Sequence, residues 1–352
     1  MSIAVAAPPS HERQKPLRRR RAPGVSQRLR RSFQLAFLAL NIWIGIQFYF
    51  FVRYYETGGR TLWAPRPPGI EGWLPIASLM NLKLFLATGE VPRVHPAGLF
   101  VLVSFLAISW LLCRSFCSWL CPVGTISEYL WRLGKQTFGR NFRLPRRLDL
   151  VLRGIKYILL GLFLYAVGSM PASAINSFLD GPYGLIDDVE MLNFFRFLGL
   201  IGGVILAILV LASVFVQNFW CRYLCPYGAL MGLAASLGPF RIRRDPIVCI
   251  DCAKCAKACP SVLPVHRLAT IRSAECFGCL ECVSVCPAAG ALEMSGPRRR
   301  PVPTWAVGCN PPPVGVLFLG ITGYARWTHH WRTDLPSSVY LNLIPHASDF
   351  TH

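Results

Sequence analysis

Between Cys249 and Pro287 the sequence reads CIDCAKCAKACP and then, after a gap, CFGCLECVSVCP. Each run is C-x2-C-x2-C-x3-C-P, the spacing at which a short chain holds two [4Fe-4S] cubanes, the fourth cysteine of each run ligating the cluster of the other. Three thiolates on a tight loop reach three corners of a cube, and a fourth from the opposite run closes it. The expected ligand sets are Cys249, Cys252, Cys255 and Cys286 for the first cluster, and Cys276, Cys279, Cys282 and Cys259 for the second. Proline after each last cysteine has no N–H to donate and stops the turn from continuing as a helix. A structural zinc site would pair two C-x2-4-C knuckles instead, and a disulfide framework would need an oxidising compartment.

The chain around these runs is apolar. Of 352 residues, 53% are hydrophobic and only 15% are charged, which suits a membrane protein better than a soluble one. The net charge of +20 sits in short basic blocks beside apolar runs. That is the pattern of spans oriented by positive loops, and it argues against nucleic acid as a partner. Phe33 to Val52 is free of charge and long enough to cross a bilayer core. Ala97 to Cys113, Tyr157 to Leu179 (broken by Pro171), Phe197 to Cys221 and Pro301 to Ala325 (broken by Pro311, Pro312 and Pro313) give four further runs. Trp73 to Leu86, interrupted by Asn81 and Lys83, reads as interfacial or re-entrant.

The basic residues between Arg114 and Arg153, and those flanking the cysteine runs (Arg241, Arg243, Arg244; Arg298 to Arg300), place those segments in the cytoplasm of a bacterial inner membrane protein. The loop carrying Asp180, Asp187, Asp188 and Glu190 belongs outside. The fold expected is mainly α: a polytopic helical bundle of about five spans with two parallel repeats, and an inserted cytoplasmic two-cluster ferredoxin-like α+β domain. Its parts are a disordered basic arm at 1–31, a membrane domain at 32–240, the cluster domain at 241–300, a last span at 301–325 and an outer tail at 326–352.

An internal repeat adds a second constellation. FCSWLCPVG at 116–124 aligns on WCRYLCPYG at 220–228, each after an apolar run. A C-x3-C spacing puts two thiols on one face of a helix, one turn apart. If the two helix ends meet, Cys117, Cys121, Cys221 and Cys225 converge near the cluster domain as a candidate metal or thiol redox site. Cys113 and Cys309 read as packing residues.

The two Cys-x3-Cys-Pro motifs at helix ends, followed by the two-cluster run, make residues 33–300 similar to the membrane polyferredoxins of the NapH, NosR and CcoG type. The resemblance implies electron transfer between a quinone pool or cytoplasmic donor and a respiratory or maturation partner. It leaves copper-ion reduction and a redox-sensing assembly role as alternatives, so whether the chain is itself an enzyme stays open. Redox partner proteins are implied. A quinone site would need proton acceptors, for which His95, Asp180, Asp187, Asp188 and Glu190 are the outer candidates. Lys254 and Lys257 in the first run, against Glu275 and Glu281 at the second, predict that the first cluster is the easier to reduce.

Overall fold

The computed structural model describes residues 25–297 and 313–350. The first apolar run lies inside a longer helix, α1 (Val25–Glu56). No proline interrupts it, and Leu35, Ile42, Trp43 and Ile46 face outward, as a helix bathed in lipid allows. The basic arm expected at 1–31 therefore gives way to helix from Val25, where Arg30 and Gln34 are buried. Residues 1–24 lie outside the described residues.

A 3-10 turn, Pro68–Trp73, leads into α2 (Pro75–Thr88), which packs on α3 (Pro96–Leu111). Ala77, Met80, Asn81 and Leu84 of α2 are buried. The segment expected to be interfacial or re-entrant is thus a short helix with one face buried in the bundle. Its polar residues fit because they find backbone partners: Asn81 Nδ2 donates to the carbonyls of Val94 (3.0 Å) and His95 (2.8 Å), and Lys83 Nζ donates to those of Val167 and Gly168. A broken turn follows α3, then α4 (Phe116–Trp119) and α5 (Pro122–Phe138).

The third apolar run is divided by Pro171 into α6 (Arg146–Ser169) and α7 (Ala172–Leu179). The short α8 (Pro182–Leu185) precedes α9 (Asp187–Arg196), whose first turn carries Asp187, Asp188 and Glu190, the favourable end of the helix dipole for acids. α9 is bent by 83° against α10 (Leu200–Phe215), which ends well short of Cys221. A π turn at Trp220–Leu224 then joins α11 (Pro226–Ser236). Among the described residues two helices, Gln27–Glu56 within α1 and α6, are long and apolar enough to cross a membrane, or three if the bent pair is one span.

The cluster domain is closed by β1 (Arg241–Arg244) pairing antiparallel with β2 (Leu292–Ser295), Arg241 opposite Ser295. Between them lie one-turn helices α12 (Lys254–Ala258) and α13 (Glu281–Ser284). α14 (Pro313–Trp327) starts at the last of the three prolines and packs on α3; the earlier part of the expected fifth run, and Cys309, lie outside the described residues. α15 (Ser337–Leu343) and the 3-10 turn after it bury Tyr340, Ile344 and Ala347 against Phe48, Phe51, Val52 and Tyr55 of α1.

Candidate iron-sulfur centres and their surroundings

The two cysteine runs wrap each other. Cys255 lies within electrostatic reach of Cys249, Cys252 and Cys286, and Cys282 within reach of Cys279, Cys259, Cys276 and also Cys255. Cys252 is exposed, whereas Cys259 and Cys282 are buried. Left-handed residues shape the loops: Asp251 (φ 52°) and Ala253 (φ 53°) in the first, Gly278 (φ 60°) and Leu280 (φ 57°) in the second. The eight thiols of the two runs, gathered in one small domain, suit iron-sulfur clusters.

The repeated motifs do meet. Cys117, Cys121, Cys221 and Cys225 all line one cavity of about 560 Å³ inside the bundle, with Phe37, Asn41, Trp73, Phe318 and Trp331 among its other walls. The expectation of two thiols on one continuous helix is not met. In each copy the first cysteine sits in a single helical turn (Cys117 in α4, Cys221 in the π turn), and the second is the extended N-cap of the next helix (Cys121 ψ 119°, Cys225 ψ 106°). Proline at N1 requires this, because its ring pushes the preceding residue out of the helical region. The capping atom is sulfur: Gly124 N donates to Cys121 Sγ (3.5 Å) and Gly228 N to Cys225 Sγ (3.2 Å). Cys113 Sγ instead donates to Phe240 O at 2.8 Å and does not line the cavity, as befits a packing residue.

The second cysteine run is pressed onto these motifs. Ser118 Oγ donates to Phe277 O (2.6 Å), Arg114 Nη1 to Ala274 O (3.1 Å), and the Arg114 guanidinium lies over the Phe277 ring at 4.5 Å. Gly278 admits the contact, since a Cβ there would lie 2.5 Å from Cys113 O. Two buried ion pairs grip the flanks. Arg30 makes two 2.7 Å bonds to Glu128, while Gln27 Nε2 donates to Cys279 O (2.9 Å). Lys156 holds both oxygens of Glu275 at 2.7 and 2.6 Å.

A family model described as a 4Fe-4S binding domain matches residues 94–141 and again 198–245, and one described as a 4Fe-4S dicluster domain matches residues 241–287. YccM of Escherichia coli (strain K12), named for electron transport, is 48% identical over 331 residues, 92% of this chain and 91% of its own length. The ferredoxin-type protein NapH of the same organism is 29% identical over 218 residues, 59% of this chain and 70% of its own. The regulatory protein NosR of Pseudomonas aeruginosa is 31% identical over 182 residues, 51% of this chain and 24% of its own. The chain belongs to the NapH/NosR-type polyferredoxins. It is an iron-sulfur electron-transfer protein, and two of its described helices are long and apolar enough to cross a membrane. No solved structure matches it.

In this polyferredoxin the charge contrast read from the sequence is cancelled by the fold. Burial alone would raise Glu275, but the Lys156 ammonium beside it and Arg114 hold it below its ordinary value. Glu281 is met by Arg30 (3.7 Å) and Arg132 (3.5 Å). Neither carboxylate therefore acts as a lone negative charge at the second cysteine run, and the charge contrast expected to ease reduction at the first run has lost its acidic half. Lys254 and Lys257 are exposed to water, where their field is screened.

The polyferredoxin also builds a buried polar cluster at the far end of the bundle that the sequence foreshadows only in part. Arg66 is bonded to Glu71 (2.7 Å) and Asp188 (2.7 Å), and its Nη2 lies 3.0 Å from His95 Nδ1. His95 Nε2 is 2.9 Å from Asp187 Oδ1, and Thr333 Oγ1 donates to Glu71 Oε1 (2.7 Å). Burial favours neutral His95, yet Asp187 and Glu71 outweigh it and push it up to about 10. Burial likewise raises Glu71, but Arg66 and His95 bring it down to about 2. Arg66 and Glu71 had no signal beyond being lone charges in a Pro- and Trp-rich loop. Of the outer candidates, Asp180 stays exposed.

Proposed function

We propose that this polyferredoxin relays single electrons between the quinone pool or a cytoplasmic donor and a respiratory or maturation partner. In this reading Cys249, Cys252, Cys255 and Cys286 hold one [4Fe-4S] cluster, Cys276, Cys279, Cys282 and Cys259 the other, and Cys117, Cys121, Cys221 and Cys225 a further redox centre. The membrane domain crosses the bacterial inner membrane about five times, with the cluster domain on the cytoplasmic side. Such clusters, when bound, take up and release one electron without bonds being made. The chain's own part is to hold the thiols, exclude water from the inner set and fix the order of the centres.

The observation that carries this reading is the graded placement of the thiols. Four line the cavity inside the bundle, Cys259 and Cys282 are buried in the cluster domain, and Cys252 is exposed. The cavity's aromatic and aliphatic walls suit a lipid-soluble quinone, and Asp187 in the buried polar cluster beyond it, which burial pushes up, offers a proton acceptor on the outer side.

The test is the full chain, purified anaerobically and embedded in liposomes with a reduced quinone. Bleaching of the iron-sulfur absorbance by quinol, and its loss in Cys276→Ser, is the expected result. A colourless or zinc-loaded protein would end the reading. Reporter fusions at residues 240 and 297 should report the cytoplasm, and the opposite side would refute the topology.

A further inference from the structure

Arg114 has no solvent exposure, and its described contacts include no carboxylate. Nε reaches Cys117 Sγ at 3.4 Å, Nη2 donates to Cys221 O at 3.3 Å, and Nη1 to Ala274 O at 3.1 Å. The one carboxylate whose field reaches it, Glu275, is already bonded to Lys156. A guanidinium cannot shed its proton in a protein, so it must find negative charge or bear the full cost of burial. Neutral thiols or disulfides at the cavity would leave it only Glu275, which Lys156 already neutralises; thiolates bound to metal would supply further negative charge.

We infer that Arg114 is the counter-charge of an anionic four-thiolate iron-sulfur centre on Cys117, Cys121, Cys221 and Cys225, and the positioning residue that raises its reduction potential and ties it to the second ferredoxin cluster. The inference rests on the redox centre proposed above at those four cysteines. Each matched 4Fe-4S segment holds only part of the set, Cys117 and Cys121 in one and Cys221 and Cys225 in the other. Arg114 is the side chain that touches both copies of the motif and the second cysteine run together. The backbone is bent to aim it, with left-handed Cys113 (φ 56°) and Arg114 (φ 58°) in succession, a strained pairing for residues with side chains. Gly228 leaves the room, because a Cβ there would lie 2.5 Å from Arg114 Nη2. Adding an electron makes a thiolate-bound cluster more negative, so a buried cation beside it favours the reduced form.

The experiment is an iron and sulfide assay with EPR-monitored redox titration of the intact, anaerobically purified chain. The native protein should carry about twelve irons, four per cubane, and a third signal. In Arg114→Met the reduced-to-oxidised ratio of that third centre at fixed potential should fall at least tenfold, about 59 mV for one electron. The cluster of Cys249, Cys252, Cys255 and Cys286 should keep its potential, and Arg114→Lys should recover most of the shift. Gly228→Ala keeps the charge but displaces the guanidinium, so it should shift the same centre the same way by less. It decides the matter if Arg114→Met does not fold. A third centre whose potential is unmoved in these variants overturns the role of Arg114 while leaving the four-cysteine site standing. About eight irons and no third signal in the native chain overturns the site itself, and the inference with it.

Discussion

Gly124 and Gly228 occupy the same place in the two motif copies, yet they tolerate a methyl group differently. A Cβ at Gly124 would meet the carbonyl oxygen of Cys117 at 2.2 Å, and backbone cannot step aside; at Gly228 it meets the far end of the Arg114 side chain. Gly124→Ala should therefore cost about 1–3 kcal/mol, as overpacking does, and Gly228→Ala should cost less. Thermal unfolding in detergent would compare them, and equal costs would contradict the geometry. His95 sets a pH dependence of its own. Its ordinary value of 6.5 is raised to about 10, so the stability it contributes is fully present below 6.5 and is lost as pH rises through about 10. The groups facing it are Arg66, Glu71 and Asp187. A His95→Gln variant should show a flatter loss of stability over that window, and an unchanged profile would remove His95 as its source.

At the scale of elements, proline decides where helices stop and thiols begin. Pro122 and Pro226 turn what the spacing suggests as one helical face into a turn, an extended cysteine and a new helix. Pro171 divides the third run in the same way. The cluster domain is then held on these helix ends by the clamp from α1 to α5. Arg30 is 1% exposed and bonded twice to Glu128, with Gln34 donating to Glu128 as well. Arg30→Met leaves Glu128 with Arg132 at 2.6 Å and Gln34 at 2.9 Å, so it should destabilise by about 1–3 kcal/mol, whereas the double change Arg30→Met with Glu128→Leu should recover part of that loss. Hydrogen exchange in residues 274–282 would report the loosening; protection unchanged in the single variant would show that the clamp does not hold the domain.

For the whole molecule, the placement of the cysteines predicts an order of transfer. With Cys252 exposed and Cys276 to Cys282 against the membrane domain, Cys252→Ser should abolish transfer to a soluble acceptor while the inner cluster is still reduced from the membrane side. Stopped-flow absorbance would separate the two steps, and unimpaired transfer to the acceptor would reverse the order. The iron-sulfur character of the cysteine runs, the repeat and the apolar runs were legible beforehand because each is a local property: a cysteine's reach is set by the few residues between it and the next, and a helix's affinity for lipid by its own side chains. What the sequence could not disclose depends on partners far apart along the chain. Arg114 meets Ala274, Arg66 meets Asp188 and Arg30 meets Glu128 only after the helices have packed. For the same reason the acids beside the second cluster proved to be neutralised ones, and two separate pairs of thiols became a single lining of one cavity. Spacing therefore determined which atoms can bind, and packing decided which charges surround them, because covalent geometry acts over a few residues and electrostatics over whatever the fold brings near.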